Sequence, residues 1–336
     1  MRKILVFCLF LVLFSGCVIT GPPVYRGEIY QMQQELKTKA LKYRFQKEKK
    51  MADVGYRLLK AIPDNRGSFP YLGVRFVKID KYVKEMLNIN KNYGIAVAYV
   101  ITDSPADKSG IQAADIIKNI NGYVVNREQD LKHALRYVRP NQKIKFQVER
   151  NGLIQAIDVV VTGVPLEVRF RMLDAEIVNA GASSNEVVVT YGLMRFIQTE
   201  DELAIILSHE LAHIARGHIG KRAGTDLVSI LLGIAAGYGA ESISPGSGDI
   251  VMQGVGGAFS SLYSRDFERE ADYFSIIYVH RAGLNIEAGI DVWERFAVEI
   301  PESMVSDFFS THPTSTERLL RIKKTVRDIK EGRIKL

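Results

Sequence analysis

The sequence predicts an α+β chain in which a mainly helical domain with a small edge sheet is interrupted by a β-rich domain. A long helical pattern runs over about 28–61, and strong helical patterns return from Thr199 onward. Between them, residues 64–165 form short β-type runs broken by Gly, Asn and Pro. Because 336 residues are enough for two ordinary domains, we expect one to be inserted into the other.

Composition and charge exclude several classes of protein. The chain is 47% apolar and 25% charged, which excludes a disordered chain and a polytopic membrane protein. The formal charge of +7 suggests an anionic surface nearby but does not indicate a nucleic-acid partner. Cys8 and Cys17 are the only cysteines, so a disulfide framework and a thiolate metal site in the folded body are both excluded.

The first 16 residues have the pattern of an export signal. Arg2 and Lys3 precede an apolar run over 4–14, which is too short to span a bilayer. A positive start, a short apolar run and small residues before a cleavage point are typical of a signal peptide. We therefore expect residues 1–16 to be removed.

The next residue, Cys17, predicts a lipid anchor. Residues 13–17 (Leu-Phe-Ser-Gly-Cys) resemble a bacterial lipobox, although Phe14 stands where that motif usually has Leu. The likeness implies that Cys17 is acylated and that 17–27 is a linker to the membrane. Val18 then favours, by resemblance to enteric lipoproteins, the outer membrane and its periplasmic side. The alternative is an ordinary cleaved signal with an incidental cysteine.

The N-terminal helical part, residues 28–64, is rich in lysine and arginine. Such a stretch beside a lipid anchor is suited to contact anionic headgroups. The favoured alternative is a solvated basic face with an apolar face packed inward. The inward residues would be Leu36, Ala40, Tyr43, Val54, Leu58 and Leu59.

The β-rich domain is expected over 68–164. A strand after Gly94 leads into a Ser104-Pro105 helix start, Asn121-Gly122 supplies a tight turn, and two closing strands follow at 143–149 and 154–161. This order resembles a PDZ domain of the bacterial envelope-protease type. In that family a glycine usually precedes the aspartate where this chain has Ala114, so a different turn shape is expected there.

The PDZ likeness implies a peptide-binding loop. By that resemblance the carboxylate-binding loop consists of Tyr71, Leu72, Gly73 and Val74. A PDZ fold binds a peptide C-terminus by adding it as a strand to a sheet edge. The alternative is a PDZ domain that only packs against its neighbour.

The chemistry lies in the second half of the chain. A capping box formed by Thr199 and Glu202 begins a helix that contains His209, Glu210 and His213. Two histidines four residues apart lie one turn above each other, so both imidazoles can bind one metal ion. Glu210 is then placed to take a proton from a water at that ion. A purely structural histidine pair is the alternative.

A catalytic zinc needs a third protein ligand and one open position. A later helix offers Glu268, Glu270 and Asp272, and the first and last of these share a helix face. One acid can bind the ion while another accepts a hydrogen bond from a ligand histidine. Spacing alone does not choose among the three, and an acid-rich solvated face is also consistent with it.

The two motifs together, H-E-x-x-H and E-x-x-A-D, resemble the HtpX and CAAX-protease family of zinc metallopeptidases, in particular its periplasmic BepA-like branch. The likeness covers about 165–330 and the helical part 28–64, and it implies a zincin-type metallopeptidase domain over 165–336 with one Zn²⁺ per chain. It assigns His209, His213 and Glu268 as ligands, with Asp272 as the partner of a ligand histidine. The ligand type by itself also suits other divalent ions.

Three further elements fit the likeness. By resemblance, Asn179-Ala180 belongs to an edge segment that pairs with the substrate backbone; otherwise it is an ordinary loop. His312 and Arg318 match an H-P-x-x-x-x-R element, which implies that His312 lies at the zinc, either stabilising the oxyanion or filling the open position. Arg318 would support it, and the alternative is a turn before the last helix. His218 is interpreted as a helix-end histidine and not as a ligand.

Two functions remain at this point. The first is a lipid-anchored zinc endopeptidase of the bacterial cell envelope that acts in protein quality control on unfolded, misassembled or stalled envelope proteins, with a PDZ domain that holds a substrate tail or regulates access. The second is a PDZ-bearing periplasmic adaptor or chaperone with a structural or largely silenced metal site, because His312 would close the fourth position. Glu210 favours the first, since a structural site needs no general base.

Overall fold

The computed structural model describes residues 21–63, 68–219, 231–233, 264–299, 312 and 316–334. The predicted signal peptide and Cys17 lie outside these residues, as does nearly all of the apolar, Gly-rich region at 227–262. Among the residues described, no helix is both long enough and apolar enough to cross a bilayer.

The first helix is followed by the β-rich unit. The helix α1 spans Arg26–Ala61. The elements of the β-rich unit are β1 Phe69–Tyr71, β2 Val74–Lys78, α2 Lys81–Leu87, β3 Ile95–Val100, α3 Pro105–Lys108, β4 Ile116–Ile120, β5 Tyr123–Val124, α4 Glu128–Leu135, β6 Lys143–Arg150, β7 Leu153–Val160 and β8 Thr162–Val164.

The sheet of this unit has the order β2-β3-β4-β6-β7, with β5 paired to β4. All of its pairings are antiparallel, and β2 lies at one edge. Alternate residues of β6 (Ile144, Phe146 and Val148) are fully buried, as expected for a strand with one face on a core. A short antiparallel pair, β1 with β8, joins the two ends of the unit.

The turn before Asp115 keeps a left-handed backbone although it lacks glycine. Ala114 has φ of 70°, and its N–H donates to the carbonyl of Val97 at 2.9 Å. The turn therefore has the conformation that a glycine would favour, at the steric cost that a Cβ brings in this region.

The second unit is mainly helical. Its elements are β9 Arg169–Leu173, β10 Ala180–Ala182, β11 Glu186–Thr190, α5 Tyr191–Phe196, α6 Glu200–Ala215, α7 Arg265–Arg281, α8 Ala288–Glu299 and α9 Thr316–Lys330. The small sheet has the order β10-β11-β9, in which β11 is antiparallel to β10 and parallel to β9. The fold class predicted from the sequence is confirmed.

Helix α6 lies at the centre of this unit. Every residue from 202 to 215 is buried, which is the pattern of a helix surrounded by other elements. The core around it includes Leu58 of α1, Ile276 of α7 and Phe296 of α8. The polar residues of α6 from Glu202 onward are therefore buried in the core.

The inward packing predicted for the first half of α1 is wrong. Leu36 and Tyr43 are 54% and 44% exposed, and Ala40 is exposed as well. This half of the helix meets α2 through a polar face, where Tyr82 donates to Gln34 and Thr38 donates to Glu85. The apolar face is left in solvent. The prediction holds for the second half, where Val54, Leu58 and Leu59 are buried.

Candidate metal centre

The capping box predicted for α6 is present and is tied to α8. The Glu202 N–H donates to Oγ1 of Thr199 at 3.1 Å, and the Glu202 carboxylate accepts from the Gln198 N–H at 2.7 Å. Arg295 donates to both oxygens of Glu202, at 2.8 and 2.6 Å. The start of the helix is thus fixed two turns before its histidines.

His209 and His213 point to the same place. Their Nε2 atoms are 3.1 Å apart, as the spacing of four residues on one helix requires. Glu268 of α7 lies opposite them, with Oε2 3.4 Å from Nε2 of His209 and Oε1 3.5 Å from Nε2 of His213. All three side chains are buried.

His312 completes what we call the ligand cluster: His209, His213, Glu268 and His312. Its Nδ1 is 3.2 Å from Nε2 of His209 and 3.1 Å from Oε1 of Glu268. One ligand atom from each of the four residues lies within 4.8 Å of all the others.

The donor set fits a tetrahedral zinc ion. With metal–ligand bonds of about 2.0–2.1 Å, the ligand atoms of a tetrahedron are about 3.3–3.4 Å apart. With Oε1 as the ligand atom of Glu268, four of the six pairs of ligand atoms in the cluster are separated by 3.1–3.5 Å. Imidazole nitrogens and a carboxylate are also the ligand types that zinc binds.

Asp272 and Arg318 lie behind the cluster. Oδ1 of Asp272 is 3.1 Å from Nδ1 of His209. Arg318 donates to both oxygens of Asp272, at 2.7 and 2.8 Å, and lies 2.8 Å from Oε2 of Glu268. It also donates to the carbonyl of His312 at 3.1 Å. One guanidinium thus fixes both buried carboxylates and the backbone that carries the fourth histidine.

Glu210 lies next to this arrangement, on the side of His312. Both of its carboxylate oxygens are buried and accept no hydrogen bond from the part of the chain that the structure describes. Nε2 of His312 is 3.3 Å from its Oε1. Burial raises the pKa of Glu210, but the charge of His312 outweighs this and lowers the pKa below its ordinary value. An ionised carboxylate in this place can accept a proton.

The histidines differ in protonation when no ion is bound. Burial lowers the pKa of His213 to about 4. Burial also acts to lower the pKa of His312, but the charges of Glu268 and Glu210 raise it to about 9. Metal uptake at neutral pH therefore has to displace a proton from His312 if this residue is to bind the ion.

The sequence did not predict that His218 and Glu270 lie next to each other behind His213. His218 is fully buried, and its Nδ1 is 3.0 Å from Nδ1 of His213. Its Nε2 is 3.0 Å from Oε2 of Glu270. The usable signal was Gly217: a glycine after the last turn of a helix reverses the chain, which returns the next side chain to the helix.

The predicted substrate-edge residues lie beside α6. Asn179 is buried, its N–H donates to Oγ1 of Thr190 at 3.0 Å, and its Oδ1 accepts from the Ala180 N–H at 2.8 Å. Ala180 begins β10, the edge strand of the small sheet, which packs against α6. An edge strand has the backbone groups that a further strand needs for pairing.

The predicted PDZ loop belongs to the β-rich unit and not to the ligand cluster. Tyr71 stacks on Tyr56 of α1 with ring centroids 4.6 Å apart. The carbonyl of Leu72 accepts from Ala106 at 3.1 Å and that of Gly73 from Ile101 at 2.9 Å. Gly73 has φ of 82°, and a Cβ on it would lie 2.1 Å from Cβ of Ser104.

Val74 then begins β2 at the edge of the sheet. An edge strand that follows directly on the loop is the position at which a PDZ fold adds a peptide.

Two known protein families match this chain. The model of peptidase family M48 matches residues 145–326, more than half of the chain. The chain belongs to peptidase family M48. A PDZ domain model matches residues 70–161 of this M48 chain. The resemblance drawn from the motifs is thereby confirmed.

Individual relatives cover parts of the M48 chain. Metalloprotease YcaL of Escherichia coli (strain K12) is 28% identical over 182 residues, which are 52% of this chain and 67% of the relative. A probable periplasmic serine endoprotease DegP-like of Pseudomonas putida (strain W619) is 34% identical over 113 residues, 34% of this chain. The chain spans 23% of that relative's length. Among solved structures, the HtrA-type protease AlgW with decapeptide is 28% identical to this chain, with a TM-score of 0.27. The match covers 29% of this chain and 30% of the AlgW chain.

Proposed function

We propose that this chain is a zinc-dependent endopeptidase. The observation that supports it most strongly is the buried set of His209, His213 and Glu268 with Glu210 beside it. Each of these side chains is at most 1% exposed. Burying charge is costly unless the groups are paired or bind a metal, and clusters of buried ionisable groups are typical of functional sites. Membership of family M48 agrees with the proposal.

In the proposed mechanism, His209, His213 and Glu268 hold the ion. When bound, zinc polarises the scissile carbonyl and lowers the pKa of water toward about 7. Glu210 accepts the proton of the attacking water and passes it to the leaving amine. Asp272 accepts from Nδ1–H of His209 and so keeps the lone pair of Nε2 directed into the cluster.

We assign His312 to the fourth position in a resting state. Its Nδ1 lies among the ligand atoms and its Nε2 faces Glu210, so it is placed between the ion and the proposed base. Arg318 holds the backbone of His312 in this position. A substrate would have to displace His312 before Glu210 can act.

The location and the substrates belong to the same proposal. We propose that the signal over 1–16 and acylation of Cys17 attach the chain to the outer membrane, facing the periplasm, where it hydrolyses unfolded or misassembled envelope proteins. The DegP-like relative is named a probable periplasmic protease, which agrees with this location. In the same proposal, the peptidase domain comprises 28–64 and 165–336, and the PDZ-like domain comprises 68–164.

Two surfaces would bind the substrate. We propose that a peptide C-terminus adds to β2 next to the loop of Tyr71, Leu72, Gly73 and Val74. Near the ligand cluster, the substrate backbone would pair with the edge strand that begins at Asn179-Ala180.

A second candidate function is a PDZ-bearing adaptor or chaperone with a silenced metal site. The position of His312 favours it, because four protein ligands close a zinc site as in structural sites. The presence of a buried, ionised Glu210 favours the peptidase.

Replacing the proposed base tests the peptidase directly. Glu210→Gln should bind metal like the wild type and lose at least about 100-fold in cleavage of unfolded casein, because the amide accepts no proton. The matched control is Glu200→Gln, an exposed residue of the same helix, which should cleave like the wild type. Equal cleavage by Glu210→Gln and wild type would refute the mechanism, and metal binding without cleavage by wild type or by His312→Ala would favour the adaptor.

A further inference from the structure

We infer that His218 and Glu270, called here the support pair, position the proposed metal ligand His213 and raise the metal affinity of the site. The inference rests on the proposed function only in taking His213 as a ligand. The support pair lies outside the ligand cluster and reaches the cluster through His213, so its role is positioning.

The turn after α6 brings His218 back to His213. The helix ends at Ala215, and Gly217 adopts φ of 71°. The His218 N–H then donates to the carbonyl of His213 at 2.9 Å, and the Gly217 N–H donates to that of Ile214 at 3.1 Å. These two bonds form a Schellman motif, in which the residue after the glycine lies against the last turn of the helix. The local backbone therefore brings the imidazoles of His213 and His218 together.

The side-chain contacts form a continuous chain. Nδ1 of His218 is 3.0 Å from Nδ1 of His213, and Nε2 of His218 is 3.0 Å from Oε2 of Glu270. The other oxygen of Glu270 accepts from Nε of Arg216 at 2.6 Å. The imidazole of His218 also stacks on Phe267, with ring centroids 4.4 Å apart. The ring of His218 is therefore held on its face and at both nitrogens.

The direction of the hydrogen bonds follows from the metal site. Nε2 of His213 lies in the ligand cluster and must offer a lone pair to an ion, so a neutral His213 carries its proton on Nδ1. That N–H donates to Nδ1 of His218, which leaves the proton of His218 on Nε2. This N–H donates to the carboxylate of Glu270. Each of these nitrogens and the carboxylate then has a hydrogen-bond partner, while both imidazoles stay neutral.

The arrangement parallels the one behind the other ligand histidine. Asp272 lies directly behind Nδ1 of His209, at 3.1 Å. Behind His213 the carboxylate is one imidazole further away, since His218 stands between them. A carboxylate behind a ligand histidine fixes the tautomer and raises the basicity of the ligand, and its loss typically costs about 10- to 100-fold in metal affinity. We expect a loss of this size when His218 no longer accepts from His213.

Two substitutions of His218 separate its two contacts. The amide of asparagine occupies the place of Nδ1, so His218→Asn keeps an acceptor for His213 and gives up Glu270. The amide of glutamine reaches the place of Nε2, so His218→Gln keeps the contact with Glu270 and gives up His213. The role proposed here predicts that the second change weakens the support of the ligand more than the first, because only the second removes the direct contact with His213.

The measurement is the zinc dissociation constant of the full chain, obtained by competition with a chromogenic chelator, together with the visible spectrum of the Co²⁺-substituted protein. His218→Gln should bind zinc about 10- to 100-fold more weakly and show an altered Co²⁺ spectrum. His218→Asn should bind zinc only several-fold more weakly than the wild type, since it keeps the hydrogen bond to His213 and loses only the carboxylate of Glu270. Equal affinities of His218→Gln and wild type would overturn the inference, as would an equal loss in both variants.

A substitution on α7 keeps the test valid if changes at His218 disturb folding. Glu270 is 33% exposed, and Glu270→Gln retains an acceptor for His218 but removes the charge. It should weaken zinc binding several-fold, while Asp266→Asn, 85% exposed on the same helix, should have no effect. No difference between these two variants would contradict a role of Glu270.

The readout also separates this inference from the proposed function. A wild type that binds zinc but cleaves nothing would refute the peptidase and leave the affinities of the His218 variants to decide the support pair.

Discussion

At the scale of single residues, the site consists of buried charges that compensate one another. Glu268 and Asp272 are both almost fully buried carboxylates. Burial raises the pKa of each, but His312 and Arg318 lower the pKa of Glu268 well below its usual range, and Arg318 lowers that of Asp272. Both carboxylates are therefore ionised, which a metal ligand and a partner of a ligand histidine require.

Removal of His312 should open the fourth position. His312→Ala deletes the imidazole whose Nδ1 is 3.2 Å from Nε2 of His209, so substrate no longer has to displace it. We expect a severalfold rise in the rate of casein cleavage with at most a moderate loss of zinc affinity, because three ligands remain.

The matched control is the double variant His312→Ala with Glu210→Gln, which should be inactive. A fall of activity in the single variant to the level of the double variant would instead assign His312 to oxyanion stabilisation.

The sequence predicts some of these residues better than others. His209, Glu210 and His213 follow from spacing alone, because four residues make one helical turn. Glu268 could not be chosen over Glu270 by spacing, since both lie in the first two turns of α7, and the choice required a family likeness. His218 was missed because its position depends on a chain reversal at Gly217 that a helical pattern does not contain.

At the scale of elements, the start of α6 depends on one ion pair. Burial raises the pKa of Glu202, but the hydrogen bonds from Arg295 and from the Gln198 N–H lower it below its ordinary value. A lowered folded-state pKa means that the contribution to stability is complete above the unfolded-state pKa of about 4.3 and is lost as pH falls through the folded-state pKa.

We predict that Glu202→Gln lowers the free energy of unfolding by about 2 kcal/mol at pH 7, because Arg295 loses its charged partner. The difference from wild type should shrink when urea denaturation is repeated at pH values below about 4. Glu200→Gln, at an exposed position of the same helix, serves as control and should differ little at either pH. A difference for Glu202→Gln that is the same at both pH values would contradict the role of the charge.

The turn at Ala114 provides a second test of element geometry. A left-handed backbone costs a residue with a Cβ about 1–2 kcal/mol, while glycine loses about 0.5–1 kcal/mol more entropy on folding. Ala114→Gly should therefore raise the free energy of unfolding in urea by about 0.5–1 kcal/mol.

The neighbouring Ala113 does not have a positive φ, so Ala113→Gly should lower the free energy of unfolding instead. If both glycine variants were destabilised alike, the left-handed turn would be wrong.

Element boundaries followed from the sequence where local signals were strong. The predicted start of α6 after Thr199 agrees with the structure, and the two strands predicted at 143–149 and 154–161 agree to within one residue at each end. The first half of α1 failed because an apolar face predicts burial only if another element covers it. Here α2 covers the polar face instead.

At the scale of the whole molecule, strand β3 joins the two units. Its six residues are all buried, because its two faces belong to different cores. Ile95 and Val97 pack in the β-rich unit, whereas Ala98 and Tyr99 join the core that contains α1 and α6. The sequence predicted a strand after Gly94 but did not indicate which elements cover its two faces.

The central claim is that one zinc ion binds at the ligand cluster. The most direct measurement is the zinc content of the purified chain by elemental mass spectrometry, for wild type and for His209→Ala. We predict one zinc per chain in wild type, and a large loss in His209→Ala because only two of the three ligands proposed to hold the ion, His213 and Glu268, then remain beside His312. A wild type without bound metal, or an undiminished zinc content in His209→Ala, would contradict the account.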